Sequence, residues 1–250
     1  MRCLLLSGLL LGILTTSGNA QADIKDSGIH IWLIGGQGGL QFPGGNLSER
    51  FGMNAVVGGG VYYKSATNWL FGIDYNFMFG SAVKEKPVDR VAAENGYLIN
   101  GNGEYQIMKI YERGNMPMFR FGKVLPLFGP NPNSGLLIRG GAGVLVHKIK
   151  YYFTGSAPPQ LAEEYIKGYD RLTGGPAFAQ SIGYIHLSNR NRVNFSASFE
   201  IIEGFTRSLR SWDFATNRYD DRRRLDLLYG ISLQWYFPIY KQAADDDFYY

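Results

Sequence analysis

Cysteine is nearly absent from this chain: 250 residues contain one, Cys3. It stands before the apolar run Leu4 to Leu14, so it cannot be the lipid-bearing cysteine of a lipoprotein, which follows such a run. A chain processed beyond that run has no disulfide and no thiol chemistry. Long hydrophobic stretches are missing too, since Leu4 to Leu14 falls short of the roughly 20 residues a spanning helix needs. Charge of one sign is scarce: Lys and Arg number 25 against 21 Asp and Glu, and nothing in that balance calls for nucleic acid. The histidines, His30, His147 and His186, show no ligand spacing with Cys, Asp or Glu, so no metal and no cofactor is expected.

Aromatic residues, by contrast, make up 15% of the chain, and glycine numbers 33. Arg2, the apolar run and the small residues ending in Ala20-Gln21-Ala22 read as a signal peptide over 1–22. Removing it leaves 24 basic and 21 acidic residues, a net of +3. Residues 23–240 then form one all-β domain, and 241–250, with Asp245-Asp246-Asp247, form an acidic tail.

Period-two alternation carries the fold reading. In Trp69 to Phe79 the odd positions are Trp, Phe, Ile, Tyr, Phe and Phe, while the even ones are Leu, Gly, Asp, Asn and Met. Side chains alternate across a strand, so one face is apolar for about eleven residues, a membrane-strand length rather than the usual five or six. Leu227 to Phe237 and Val193 to Ile201 repeat the pattern. Less regular candidates are 28–42, 53–64, 118–128, 136–153 and 177–187.

The intervening segments alternate short and long. Turns at 65–68, 130–134 and 188–192 are rich in Asn, Ser and Pro, which turn backbone at little cost. Segments 43–52, 80–117, 154–176 and 206–224 are the long ones, with short helices expected over 46–51, 87–95 and 160–167. Together these features predict an eight-stranded antiparallel transmembrane β-barrel with short periplasmic turns, long extracellular loops and both termini in the periplasm of a Gram-negative cell. Pro238 is expected to end the last strand by withholding a donor.

The alternating aromatic strand Leu225 to Tyr240, closing a chain that opens with a signal peptide, resembles the final strand of the OmpA/OmpX-type outer-membrane barrels. That resemblance implies insertion by the barrel-assembly machinery, which reads a terminal strand ending in an aromatic residue, here Tyr236 or Phe237. The acidic tail is a departure from that pattern.

Three candidate sites follow. Asp74 and Glu200 fall on lumen faces, and Arg120 and Arg139 join them as ion-pair candidates, because a barrel this narrow must pair its interior charges. The fourth long loop holds Arg207, Arg210, Arg218, Arg222, Arg223 and Arg224 against Asp213, Asp220 and Asp221. Arginine pairs well with phosphate, so lipopolysaccharide or a neighbouring protein is a candidate partner, beside the alternative of a loop stiffened by its own Arg-Asp pairs. Lastly, His186-Leu187-Ser188-Asn189 followed by Glu200 is similar to the site of the lipid A 3-O-deacylase family, which implies ester hydrolysis by His186, Ser188 and Glu200. The short turn after His186 and the lumen position of Glu200 weigh against that reading. The preferred expectation is a non-catalytic barrel with a structural, adhesive or complex-forming role through its loops, with a hydrolase or a narrow solute channel as alternatives.

Overall fold

The computed structural model describes residues 24–25, 27–88, 97–162, 164–189 and 193–240. The expected signal peptide, the acidic tail and most of the expected helix 87–95 lie outside them.

Eight long strands form a single closed antiparallel barrel. In chain order they are β1 (Ile31–Gly45), β2 (Asn54–Lys64), β3 (Trp69–Gly80), β6 (Met108–Leu125), β7 (Gly135–Phe153), β8 (Thr173–Leu187), β9 (Asn194–Ser208) and β10 (Arg224–Tyr240). Between β3 and β6 lies a two-stranded hairpin of β4 (Leu98–Ile99) and β5 (Tyr105–Gln106). Each long strand pairs with its neighbour in sequence, and β10 returns to β1 from Ile31↔Tyr240 to Gly45↔Asp226, which leaves no open sheet edge.

The walls are inside-out relative to a soluble protein. On β3, Trp69, Phe71, Ile73 and Tyr75 are about half exposed, while Leu70, Asp74, Asn76 and Met78 point inward and are buried. The same alternation exposes Trp32, Phe119, Phe199, Ile231 and Phe237 around the ring. An apolar surface of that extent is stable against hydrocarbon and not against water.

Several strands run further than alternation in the sequence suggested. β6 begins at Met108, β8 at Thr173, and β9 continues to Ser208, so the loops are 81–107, 154–172 and 209–223. The turn between β6 and β7 is longer than expected, 126–134, and holds Phe128 at a positive φ of 61°. It is longer than the loop 46–53, so the length contrast is blunted there. Pro238 does not end β10: it pairs with Leu33, and beyond Trp235 β10 has, among the described residues, β1 alone as a paired neighbour, a position that tolerates a missing N–H. The first loop holds helix α1 (Leu47–Arg50), as expected, and 160–167 forms two 3-10 turns, Pro159–Leu161 and Tyr165–Gly168.

Candidate functional site

The bore is filled at three levels. At the end where β1 begins and β10 stops, Ile24 packs with Ile31, Leu33, Tyr62, Leu70 and Leu137. Asn133, on the β6–β7 turn, ties this plug down: its Nδ2 donates to the carbonyls of Ile24 (3.1 Å) and Ser27 (2.8 Å), and its Oδ1 accepts from Ile29 N (2.9 Å) and Lys64 Nζ (2.6 Å). The Lys64 ammonium is fully buried and has to be met by oxygens, which Asn133 and two backbone carbonyls supply.

At mid-height the four lumen candidates meet, but not as two ion pairs. Arg120 donates Nε to Asp74 Oδ2 (2.7 Å) and Nη1 to Glu200 Oε1. Asp74 also accepts from Tyr62 (3.1 Å) and Asn76 (3.0 Å). Among the described residues Arg139 touches no carboxylate; its three nitrogens donate to Ser181 Oγ (3.3 Å), Ser198 Oγ (3.1 Å) and Gln234 Oε1 (3.1 Å). Its expected role as an ion-pair partner is therefore corrected. The strand register puts hydroxyls and an amide within its reach, and Arg120 takes both carboxylates. Gln234 joins the groups by donating to Tyr62 (2.8 Å), so the layer is one network with two arginines balancing two acids.

Below the loops a third layer went unnoticed in the sequence. His147 Nε2 lies 2.9 Å from Asp226 Oδ2, which also accepts from Thr206, and Asn54 donates to Glu112 (3.0 Å). All of these are buried. Strand parity could have found them, since His147 shares its face with Arg139 on β7 and Asp226 shares its face with Ser232 on β10.

Above this layer the loops lock together through ions. Arg50 on α1 donates to Glu85 (3.1 Å), Thr173 Oγ1 (3.0 Å) and the carbonyl of Arg171 (2.9 Å). Arg171 bridges Glu85 (2.9 Å) and Asp213, and Arg210 grips Asp170 at 2.6 and 3.0 Å. Asp220 receives Arg222 (3.3 Å) and Arg224. Burial alone would raise the Asp220 carboxyl, but these guanidiniums, Arg224 foremost, hold it below its ordinary value of 3.8. Burial draws the Arg50 guanidinium below its usual value despite Glu85. An open recess of about 330 Å³ sits among these residues, lined by Glu49, Arg50, Arg171, Arg210, Asp220 and Arg223.

Of the six arginines singled out in the sequence, Arg210, Arg222 and Arg224 are thus paired within the loops. Among the described residues Arg207, Arg218 and Arg223 have no carboxylate partner. Asp170 and Arg171 of the third long loop belong to the same network, as do Arg50 and Glu85, which the sequence did not single out because they lie in other loops far off along the chain.

The hydrolase constellation is not assembled. His186 faces outward on β8, stacked 5.4 Å from the ring of Phe195, while Glu200 faces into the bore on Arg120. Glu200 stands opposite Ser181, on the other face of the wall from His186 and five residues along β8.

An apolar exterior, a polar filled interior and a closed ring of eight strands decide the architecture. The chain is a small β-barrel of the outer-membrane type. No family model matches it, and no curated protein matches. Among solved structures it is similar to Ail, the attachment invasion locus protein of Yersinia pestis, at 9% identity and a TM-score of 0.40 over 84% of this barrel's chain and 99% of Ail. It is also similar to the Neisserial surface protein A, at 10% identity and a TM-score of 0.37 over 82% of this chain and 97% of that one. Likenesses this distant add nothing to what the strand pairing establishes by itself.

Proposed function

We propose that this barrel resides in a Gram-negative outer membrane with its loops outside, and that it works as a non-catalytic surface protein, docking or assembling through the loop face. The observation that carries this reading is the ion-paired loop cap. Arg50, Arg171 and Arg210 tie four loops into one ordered surface around an open recess, well beyond what closing a barrel requires. The plugged and hydrogen-bonded bore speaks against solute conduction, and the separation of His186 from Glu200 speaks against hydrolysis. The barrel-assembly machinery is the expected partner during insertion, and a larger outer-membrane complex is a candidate destination for the loop face.

Two measurements test this. In intact cells a membrane-impermeant maleimide labels Asp221→Cys, on an exposed loop position, and leaves Thr67→Cys, on a turn at the other end, unlabelled until the envelope is permeabilised. The reverse pattern would overturn the orientation. In planar bilayers the purified barrel shows no steady conductance, and stepwise openings would replace the docking reading with a channel.

A further inference from the structure

The outward face of the barrel wall is not uniform at its loop end. On β6 and β7 the residues that alternate outward above the apolar belt are Lys109, Tyr111, Arg113, Lys148 and Lys150. Arg113 stands directly opposite Lys148, a like-charge cross-strand pair, which by itself costs stability. Arg113 donates to its neighbour's carbonyl (2.7 Å) and lies over the Tyr111 ring, and none of these cations has a carboxylate partner among the described residues. Two strands further round, Arg207 on β9 and Arg223 just before β10 are exposed and equally unpartnered. Round the rest of the ring, on β1, β2 and β3, the outward residues towards the loop end are Phe42, Ala55 and Phe79, none of them a cation. On the outward face of β9, Glu203 lies about 13 Å further down from Arg207.

Between the two basic groups runs a groove of about 710 Å³ on the outer surface. Val144 and Val146 of β7 form one bank, Phe205 and Leu209 the other, and Gly174, Gly175 and Pro176 of β8 the floor. Gly174 lies buried where the two banks converge, and a Cβ there would come within 3.0 Å of Leu209 Cδ1 and 3.1 Å of Val146 Cγ2. An apolar channel in the lipid-facing wall with cations on both banks at its upper end suits an amphiphile, with its chain in the groove and its anionic head at the rim.

We infer that this groove, with Arg113 and Lys148 on one side and Arg207 and Arg223 on the other, is a binding site for the phosphorylated, acylated glycolipid of the outer leaflet, the lipid A part of lipopolysaccharide. The two basic groups stand two strand spacings apart, about 10 Å, which fits a head group carrying a phosphate at each end rather than a phospholipid with one. A phosphate between Arg113 and Lys148 also removes the repulsion that their register imposes. The inference rests on the outer-membrane reading, with the loops outside.

The test uses the full processed barrel in detergent micelles, with deep-rough lipopolysaccharide as the probe and retention after gel filtration as the readout. Wild type retains the probe. Arg113→Gln with Lys148→Gln, and separately Arg207→Gln with Arg223→Gln, weaken retention at least tenfold, and Gly174→Leu, which forces the banks of the groove out of place, weakens it similarly. Probe stripped of phosphate, and phosphatidylglycerol, are each retained at least tenfold less well. Undiminished retention by both double variants overturns the site, as does equal retention of the dephosphorylated probe, and equal retention of phosphatidylglycerol overturns the choice of glycolipid. Surface labelling of Asp221→Cys separates the two levels. Labelled cells with no lipid retention sink the lipid site alone, whereas label confined to permeabilised cells sinks the outer-membrane orientation beneath it.

Discussion

Arg120 meets both mid-height carboxylates of the bore, with side chains 3% exposed at Arg120, 1% at Asp74 and 10% at Glu200. Removing it strands two acids in a buried site, and breaking a buried pair in this way costs roughly 3–5 kcal/mol. Arg120→Met is expected to lower the urea midpoint of the barrel in detergent by an amount of that order, read from the fraction that migrates as folded on a gel. Replacing all three, as Asp74→Asn, Arg120→Met and Glu200→Gln, is expected to recover most of the loss, because neither acid is left buried without its cation and Arg139 keeps its three neutral acceptors. If the triple variant is as unstable as the single one, the network acts through shape and not through charge. Arg139 should behave differently: Arg139→Met leaves only neutral hydroxyls and an amide without a donor, and the midpoint is expected to fall by less than for Arg120→Met.

At the scale of elements, strands meet closely where a side chain is absent. Tyr62 on β2 faces Gly72 on β3, and a Cβ at Gly72 would sit 2.4 Å from Tyr62 Cδ1 and 2.5 Å from the carbonyl of Val61. Gly72→Val is expected to push the Tyr62 ring aside, break its hydrogen bond to Asp74 and cost on the order of 1–3 kcal/mol, measured by the same gel assay. The loop 209–223 is held differently, by Asp220 between Arg222 and Arg224. Its carboxyl titrates below the ordinary 3.8 in the folded chain, so the anchoring is fully present above that value and is lost as pH falls through the lower folded one. Hydrogen exchange corrected for intrinsic rate is expected to rise in 209–223 as the medium is acidified below about pH 4, and Asp220→Asn should show the faster exchange already at neutral pH. A loop equally protected at both pH values would show that the Arg-Asp pairs contribute nothing to its order.

At the scale of the molecule, closure between β1 and β10 leaves the barrel no open edge, and the outward side chains need hydrocarbon rather than water. The folded barrel is therefore expected to resist sodium dodecyl sulfate at room temperature and to shift its gel mobility on boiling. A processed chain that stays soluble and monomeric without detergent would overturn the membrane reading altogether.

Much of this was legible along the chain. A period of two over eleven residues fixes which side of a strand faces lipid, whatever the neighbours, so β3, β9 and β10 and the inward placement of Asp74, Arg120, Arg139 and Glu200 could be read without a structure. Parity cannot say which inward groups share a height, because that depends on register across strands that lie far apart in sequence. For that reason the pairing of Arg120 with both acids, the neutral surroundings of Arg139 and the contact of His147 with Asp226 emerged only in the closed ring. The loops were less readable still. Arg50 and Glu85 meet because two loops fold over one rim, and the like-charged Arg113 and Lys148 face each other because β6 and β7 pair in one register and no other.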